Sequence, residues 1–330
     1  PSYARGFTID TVENGYILTI HNPWQGAQGV SYRYLLSESD DMPDMDGFDG
    51  YIRIPLERVI ALSTTHLAYT YALGRSSTIV GVSGGQYIYN GGIRAGLDSG
   101  AVVDVGFDNS LNYELIMSLR PNVLLGYSVD AGSAGYLQKL TELKVPVILI
   151  ADYLEESPLG KAEWLRVFGL LLGKPEQADS IFASIEDEYL ATKALTASLE
   201  SKPMVFLNLP FKDIWYLPGG TSYMAQLIAD AGGDYPLKVN TSRTSHPLSI
   251  EAALRIGVSC DVWINTGMAT TKAEVLAECP PAKILPALSS NRVFNNNKRS
   301  TPHGGNDFFE SGVVAPHVIL KDLITIFHPS

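Results

Sequence analysis

The sequence predicts an α/β protein of two lobes joined by one long helix, with a β-rich segment ahead of the first lobe. Short continuous apolar runs alternate with helical stretches from Arg58 onward. A purely helical region follows near residue 160, and the alternation restarts at Met204. Uninterrupted apolar strands between helices indicate a parallel sheet covered on both faces. The 330 residues suffice for about two domains. Hydrophobic residues make up 45% of the chain and charged residues only 18%. The charged share of soluble domains is usually about 25%, so two cores can be filled and disorder is excluded.

The first 55 residues read as strands. Residues 6–10 and 16–22 flank Glu13-Asn14-Gly15, and Asn-Gly is a strong hairpin signal. Residues 31–36 form a further strand. An acidic stretch over 38–50 carries Asp40, Asp41, Asp44, Asp46 and Asp49. A calcium loop fails on spacing. With Asp44, Asp46 and Gly47 at loop positions 3, 5 and 6, Met42 falls at position 1 and Arg53 at position 12. The stretch reads as a solvated loop.

In the first lobe, strand 59–62 leads to helix 64–73, which stops at Gly74. Strand 79–82 comes next. Helix 114–119 halts at Pro121, and strand 123–125, helix 136–143 and strand 147–150 complete the lobe. Helix 160–172 ends at Gly173. Pro175 suits the first position of a second helix running to about Leu199. Ala178, Ile181, Phe182, Ile185, Tyr189 and Leu195 recur along it at helical spacing. At ~1.5 Å per residue it would exceed about 30 Å. The second lobe has strands 204–209 and 214–217 and a helix over 222–231 ended by Gly232-Gly233. Helix 250–256, strand 262–265, helix 272–278 and a closing helix over 313–327 follow.

Lys and Arg total 24 against 35 Asp and Glu, a net charge of −11. That balance argues against nucleic acid, which needs clustered Lys and Arg, and against a basic face on anionic lipid. The densest apolar runs, 145–151 and 167–172, fall far short of the roughly 20 residues of a spanning helix. A start at Pro1 without an apolar leader reads as a trimmed mature form or a truncated chain. Cys260 and Cys279 are too few for a disulfide scaffold or a structural zinc site. Two buried thiols are the favoured reading, with a single bridge as the alternative.

Gly81-Val82-Ser83-Gly84-Gly85 matches a nucleophile elbow and follows a strand. The elbow also needs a helix directly after the serine, and Gln86-Tyr87-Ile88-Tyr89-Asn90-Gly91-Gly92 does not read as one. A hydrolase at Ser83 is the minor reading, with Asp152, His246 and His303 as the acids and bases a triad would draw on. Gly169 to Lys174 has the wrong spacing for a phosphate loop. The six histidines, His21, His66, His246, His303, His317 and His328, form no H-x-x-x-H pair. His66 stands just past a strand, where open α/β sheets place ligands. A capping or wall histidine is favoured there over a metal ligand.

The loops after the expected strands are polar and aromatic: 63–66, 83–89, 127–128, 211–216, 243–246 and 299–309. Tyrosine, at 17 residues, is the most abundant aromatic. Both lobes share the pattern, so the loops are expected to face one another across a cleft.

Several segments together resemble one family. Arg58-Val-Ile-Ala-Leu-Ser-Thr-Thr-His66, Ala72-Leu-Gly74 and Ile79-Val-Gly-Val-Ser83 are similar to the opening of the helical-backbone (class III) substrate-binding proteins of ABC importers for ferric siderophores, haem and cobalamin. Asp104-Val-Gly106, Leu111-Asn-Tyr-Glu-Leu-Ile116 and Leu119-Arg-Pro-Asn-Val-Leu124 match the next segment. Glu163-Trp-Leu-Arg-Val-Phe-Gly-Leu-Leu-Leu-Gly-Lys174 matches the start of the helical region. Trp215-Tyr-Leu-Pro-Gly-Gly220, Asp261-Val-Trp-Ile-Asn265 and Val293-Phe-Asn-Asn-Asn297 extend the match through the second lobe. Relatives often carry Ser-Pro where this chain has Ser63-Thr64.

The resemblance implies two Rossmann-like lobes bridged by one long α-helix, divided as 1–55 (extension packed on the first lobe), 56–172, 173–201 and 202–330. It implies a monomeric, non-enzymatic periplasmic or lipid-anchored protein. No cofactor would be bound permanently; the cargo would be an organic iron or cobalt complex, a ferric siderophore foremost, delivered to permease subunits. By family position the ligand contacts are Thr65, His66, Tyr87, Phe107 and Tyr127 from the first lobe. From the second they are Trp215, Tyr216, Arg243, His246, Arg299 and Phe308. Aromatic faces would pack on a planar ring, and the arginines would pair with anionic groups. Glu114 and Glu251 would meet arginines on the permease, although acids in a first helical turn are also ordinary dipole partners. A bare Zn²⁺ or Mn²⁺ held by His66, His246, His303 and an acid is the alternative on the same architecture.

Overall fold

The N-terminal sheet begins with β1 (Phe7–Val12) and β2 (Gly15–His21), which pair antiparallel with Val12 opposite Gly15. That is the hairpin Asn-Gly predicts. β3 (Ser31–Ser37) pairs antiparallel with β2 and parallel with β4 (Gly50–Arg53). The computed structural model describes residues 1–13, 15–39, 46–107, 110–130, 132 and 135–329. Of the calcium-loop reading, Met42 and Asp44 lie outside the described residues, while Arg53, at its last position, belongs to β4. Leu18, Ile20, Tyr34, Leu36 and Ile52 point inward and share one core with Leu67, Phe168 and Leu171. The segment ahead of β1 is fastened by two carboxylates. Glu163, fully buried, accepts the N–H groups of Ser2, Tyr3 and Ala4 at 2.7–2.8 Å. Glu155 accepts those of Arg5 and Gly6 and the Trp164 indole N–H.

A five-stranded parallel sheet follows. Its strands and helices alternate as β5 (Val59–Ala61), α1 (Thr64–Ala72), β6 (Ile79–Val82), α2 (Gly91–Ser99), β7 (Val103–Asp104), α3 (Tyr113–Ser118), β8 (Val123–Gly126), α4 (Gly135–Glu142) and β9 (Val147–Leu149). The strand order is β7-β6-β5-β8-β9. β5, β6 and β8 carry continuous buried runs, as a sheet covered on both faces requires. Caps set the helix starts: Ser63 Oγ accepts from Thr65 N, Asn90 from Ile93 N and Asn112 from Leu115 N. Helix α2 has no counterpart in the sequence reading, because Gly91-Gly92 masks its start; the Asn90 cap supplies the missing signal.

The helix expected over 160–172 is two helices, α5 (Pro158–Glu163) and α6 (Leu165–Leu171). Between them the Trp164 ring is held against Phe7, centroids 4.9 Å apart, and the Trp164 N–H reaches back three residues to Lys161. α7 (Pro175–Ala194) is 20 residues long, roughly 30 Å. It stops short of Leu199 because the N–H groups of Leu195, Thr196, Ala197 and Leu199 bond three residues back, in turns. Thr196 Oγ1 also donates to the carbonyls of Lys193 and Asp230.

The remaining elements are β10 (Val205–Leu207), β11 (Ile214–Leu217), α8 (Tyr223–Asp230), β12 (His246–Ser249), α9 (Ile250–Gly257), β13 (Val262–Ile264), α10 (Lys272–Glu278), α11 (Pro286–Ser289), β14 (Val293–Phe294) and α12 (Pro316–Phe327). β10, β13 and β14 form a parallel sheet, and β11 pairs antiparallel with β12. Phe206, Trp215 and Trp263 stack with centroids 4.9–6.0 Å apart in this core. Cys260 and Cys279 are both buried with free thiols. Asp230, at the end of α8, accepts the Tyr189 hydroxyl at 2.7 Å and pairs with Lys193 at 2.8 Å.

The chain divides into two units. The first is Pro1–Glu155, Leu159–Ile185 and Thr301–Val314; the second is Glu156–Pro158, Glu186–Ser300 and Ala315–Ser330. The division differs from sequential lobes in two segments, the first being Glu156–Pro158, expected with the first lobe but part of the second unit. Thr301–Val314, expected with the second lobe, belongs to the first unit, and α12 starts at Pro316 rather than 313.

Candidate functional site

In the first unit the strand order turns back at β5, with β6 on one side and β8 on the other. The carboxyl ends of such strands are where open α/β sheets hold ligands. The loop after β6 carries Tyr87 and the loop after β7 carries Phe107. Their rings meet with centroids 5.6 Å apart and remain 38% and 47% exposed. Gly84 makes that pairing possible. It has φ +60, and a Cβ there would lie 2.8 Å from Phe107 Cδ2 and 3.1 Å from Tyr87 Cδ2. Asp104 ties the two loops together, its Oδ2 accepting from Gly85 N at 2.7 Å and its Oδ1 from Gly106 N at 3.0 Å.

The segment Thr301–Val314 is braced on the same loop. Thr301 Oγ1 donates to Gln86 O at 3.3 Å. Gly305 backs so closely on Tyr87 that a Cβ would fall 2.2 Å from the Tyr87 carbonyl oxygen. Glu310, 1% exposed, accepts the N–H groups of Tyr89 and Asn90 at 2.8 and 2.9 Å. Burial raises its pKa, and these two donors pull it back. Phe308 therefore stands with the first-unit aromatics rather than with the second lobe. Its ring meets Phe309 edge-on at 5.0 Å, and Phe309 is 61% exposed.

The other first-unit candidates sit deeper. Thr65 is buried, its hydroxyl 3.1 Å from Ser63 Oγ within the α1 cap. His66 is fully buried, its ring centroid 6.1 Å from that of Phe168, and among the described residues neither ring nitrogen makes a well-formed hydrogen bond. Burial pushes its pKa down to about 4, with Asp152 pulling the other way. This geometry makes His66 a neutral core side chain. Tyr127 is half-buried and its carbonyl accepts the Tyr136 hydroxyl. Ser83 is followed by a single 3₁₀ turn, Gly85–Tyr87, not by the helix of a nucleophile elbow.

In the second unit, strand alternation separates two neighbours that were both expected at the ligand. Trp215 points into the core, fully buried, and its indole N–H donates to Leu207 O at 2.9 Å. Tyr216 points out and is 39% exposed. Ile214 shares the outer face, and Pro247 lies opposite Tyr216 on β12. Phe211 and Ile214 exchange backbone hydrogen bonds across Lys212 and Asp213, both at positive φ, so Phe211 stands exposed at a tight turn. Arg243, His246 and Arg299 are exposed. Of the histidines in the bare-metal reading, His246 belongs to the second unit and His66 and His303 to the first. Among the described residues no group of three or more His, Cys, Asp or Glu is placed to hold a metal ion.

Glu114 is exposed in the first turn of α3. Glu251 is exposed in the first turn of α9, where its own backbone N–H and the Ser249 hydroxyl hold its carboxyl below the usual range. Phe211, Phe309 and the positioning carboxylates Asp104 and Glu310 were not singled out from sequence. The aromatics stood in loops already marked, and nothing local announces the two acids.

The family model for periplasmic binding proteins matches residues 59–299. An uncharacterized lipoprotein of Methanocaldococcus jannaschii, MJ0878, is 26% identical over 96% of this chain and 78% of its own length. YvrC of Bacillus subtilis, named an uncharacterized ABC transporter substrate-binding lipoprotein, is 25% identical over 56% of this chain and 57% of its own. Among solved structures, a periplasmic heme-binding protein from Pseudomonas aeruginosa superposes with a TM-score of 0.63 at 19% identity, covering 83% of this chain and 94% of its own. The chain belongs to the periplasmic binding protein family. Within it, this is an extracytoplasmic substrate-binding protein of the class III ABC type. Among the described residues no helix is long and apolar enough to cross a membrane.

Proposed function

We propose that this protein binds an organic metal chelate and delivers it to an ABC permease without performing catalysis. Ferric siderophores stand first, with haem and cobalamin as further candidates. The carrying observation is the exposed Tyr87–Phe107 pair on loops held rigid by Asp104 and Gly84. Two large aromatic rings are left partly in solvent there, and a flat, largely apolar ligand face would cover them. Phe308 and Phe309 add a second aromatic pair on the segment braced against the Tyr87 loop. Tyr216 and Phe211 offer a comparable surface in the second, with Arg243, His246 and Arg299 as the polar contacts. A heme-binding protein of the same fold supports the ligand class. His66, Trp215 and the buried Thr65 serve this reading as core residues beneath the loops, and Tyr127 as a half-buried neighbour.

Titration of the apo protein with hemin, cyanocobalamin and a panel of ferric siderophores should give one saturable absorbance or fluorescence change. Replacing Tyr87 and Phe107 together by alanine should weaken it at least tenfold. Silence toward every chelate sinks the reading, and stoichiometric Zn²⁺ or Mn²⁺ on the purified protein would point instead to a bare-metal carrier. Docking is tested separately: Glu114→Arg with Glu251→Arg should abolish uptake in cells while leaving chelate affinity unchanged.

A further inference from the structure

A cavity of about 600 Å³ lies within the first unit, between the N-terminal sheet and the β9 edge of the parallel sheet. That volume is in the range of small-molecule sites. Ile52 and Leu149 contribute apolar wall, Tyr32 and Tyr34 contribute rings, and Asp49 and Lys144 stand exposed at the margin. The Tyr34 ring runs over the Gly50 backbone, where a Cβ would lie 3.2 Å from Cδ1. Its hydroxyl accepts a long bond from Leu149 N at 3.5 Å, and among the described residues it donates to none, although Tyr34 is only 3% exposed. The Tyr32 hydroxyl likewise has no hydrogen-bond partner among the described residues. Burial is the main cause that raises the pKa of both phenols, and the Asp49 carboxylate adds to it. Both hydroxyls therefore stay protonated and available as donors. Asp49 accepts Arg33 N at 2.7 Å; among the described residues it has no cationic partner and Lys144 has no anionic one.

The wall thus offers one negative charge, one positive charge, two unspent O–H donors and an apolar floor. A simple anion would meet Asp49, a simple cation would meet Lys144, and a neutral apolar molecule would leave the buried Tyr34 donor unpaired. We propose that this cavity binds a small zwitterion, specifically a free α-amino acid with an apolar side chain. Its carboxylate takes Lys144 and the tyrosine hydroxyls, its ammonium takes Asp49 and the adjoining ring face, and its side chain takes the floor. The site is separate from the aromatic loops after β6 and β7 and does not depend on the chelate reading.

The test is titration with L-leucine and L-phenylalanine, read by calorimetry and by tryptophan fluorescence. Trp24 is the natural reporter, with its ring 6.3 Å from Tyr32, while Trp164, Trp215 and Trp263 are fully buried. Saturable binding is expected, weakened at least tenfold for the amino acid amides, which lack the carboxylate, and for the N-acetyl derivatives, which lack the ammonium. Lys144→Gln and Asp49→Asn should each cost about tenfold with an unchanged melting temperature, as both side chains are exposed. Tyr34→Phe should weaken binding without loss of fold. Absence of saturable binding, equal binding of amide or N-acetyl forms, or indifference to both charge substitutions would each overturn the proposal.

Discussion

Acidification should expose the buried state of His66. The imidazole is fully enclosed and its pKa falls from 6.5 to about 4, chiefly because burial penalises the charged form. The unfolded chain takes up this proton as pH drops below 6.5, while the native protein refuses it until about 4. Stability is therefore fully present above pH 6.5 and falls as pH drops toward 4. The difference of some 2.5 pH units corresponds to about 3 kcal/mol. Urea unfolding monitored by tryptophan fluorescence at pH 7.5, 6, 5 and 4 measures it, with His66→Leu as the control. Carboxylates such as Glu155 and Glu310, whose pKa values burial raises, titrate in both proteins. The difference between the two pH profiles isolates the imidazole. Wild type should lose about 3 kcal/mol more than His66→Leu across the window. Parallel profiles would refute the assignment of His66 as a neutral core residue, and a steeper loss in the variant would reverse its sign.

Three further outcomes follow from the site geometry. Glu310→Ala leaves the Tyr89 and Asn90 N–H groups without acceptors and should cost about 2–4 kcal/mol in unfolding experiments; chelate affinity should drop with it, while Glu310→Gln recovers part of both. Gly84→Val forces a β-branched residue into φ +60 against the Phe107 ring; a loss of about 1–3 kcal/mol and weakened chelate binding are expected, measured by melting and titration. Trp215→Ala should cost about 3–5 kcal/mol, whereas Tyr216→Ala should change stability by less than about 0.5 kcal/mol and lower chelate affinity. Equal stability losses at the two positions would contradict the opposite facing of these neighbours.

Much of the fold was legible. Ile79–Val82 and Val123–Gly126 are apolar throughout, and that pattern has few solutions other than a covered parallel strand. The Asn-Gly pair marked a hairpin from two residues. Helix α2 was not legible, because two glycines at its start outweigh, in any local reading, a cap that forms only when Asn90 closes on Ile93. The division of 160–171 into two helices was equally hidden. It follows from where the Trp164 ring is held, against Phe7, which is distant in sequence, and by its N–H on Glu155.

For the site, the sequence located the loops but not the orientation of their side chains. Tyr87 stood in a loop marked by its aromatics after a strand, whereas Phe107 entered only through the family resemblance. Trp215 and Tyr216 carry the same signal, and only the pairing of β11 with β12 decided which of them faces water. His66 read as a strand-end histidine, yet the packing of α1 on α6 enclosed it. Phe308 and Glu310 lie far along the chain from the Tyr87 loop. Their place in the first unit depends on a carboxylate meeting two backbone N–H groups 220 and 221 residues away.

The sequence by itself determined the α/β class, the helical middle, the N-terminal strands and the polar, aromatic loops after several strands. These rest on periodicity and on turn and cap residues, which act over a few positions. Tertiary structure alone decided which aromatics stay exposed, which histidine stays neutral, and which unit holds Thr301–Val314. Those outcomes depend on burial and on hydrogen bonds between residues far apart in the chain, and neither is expressed in local order.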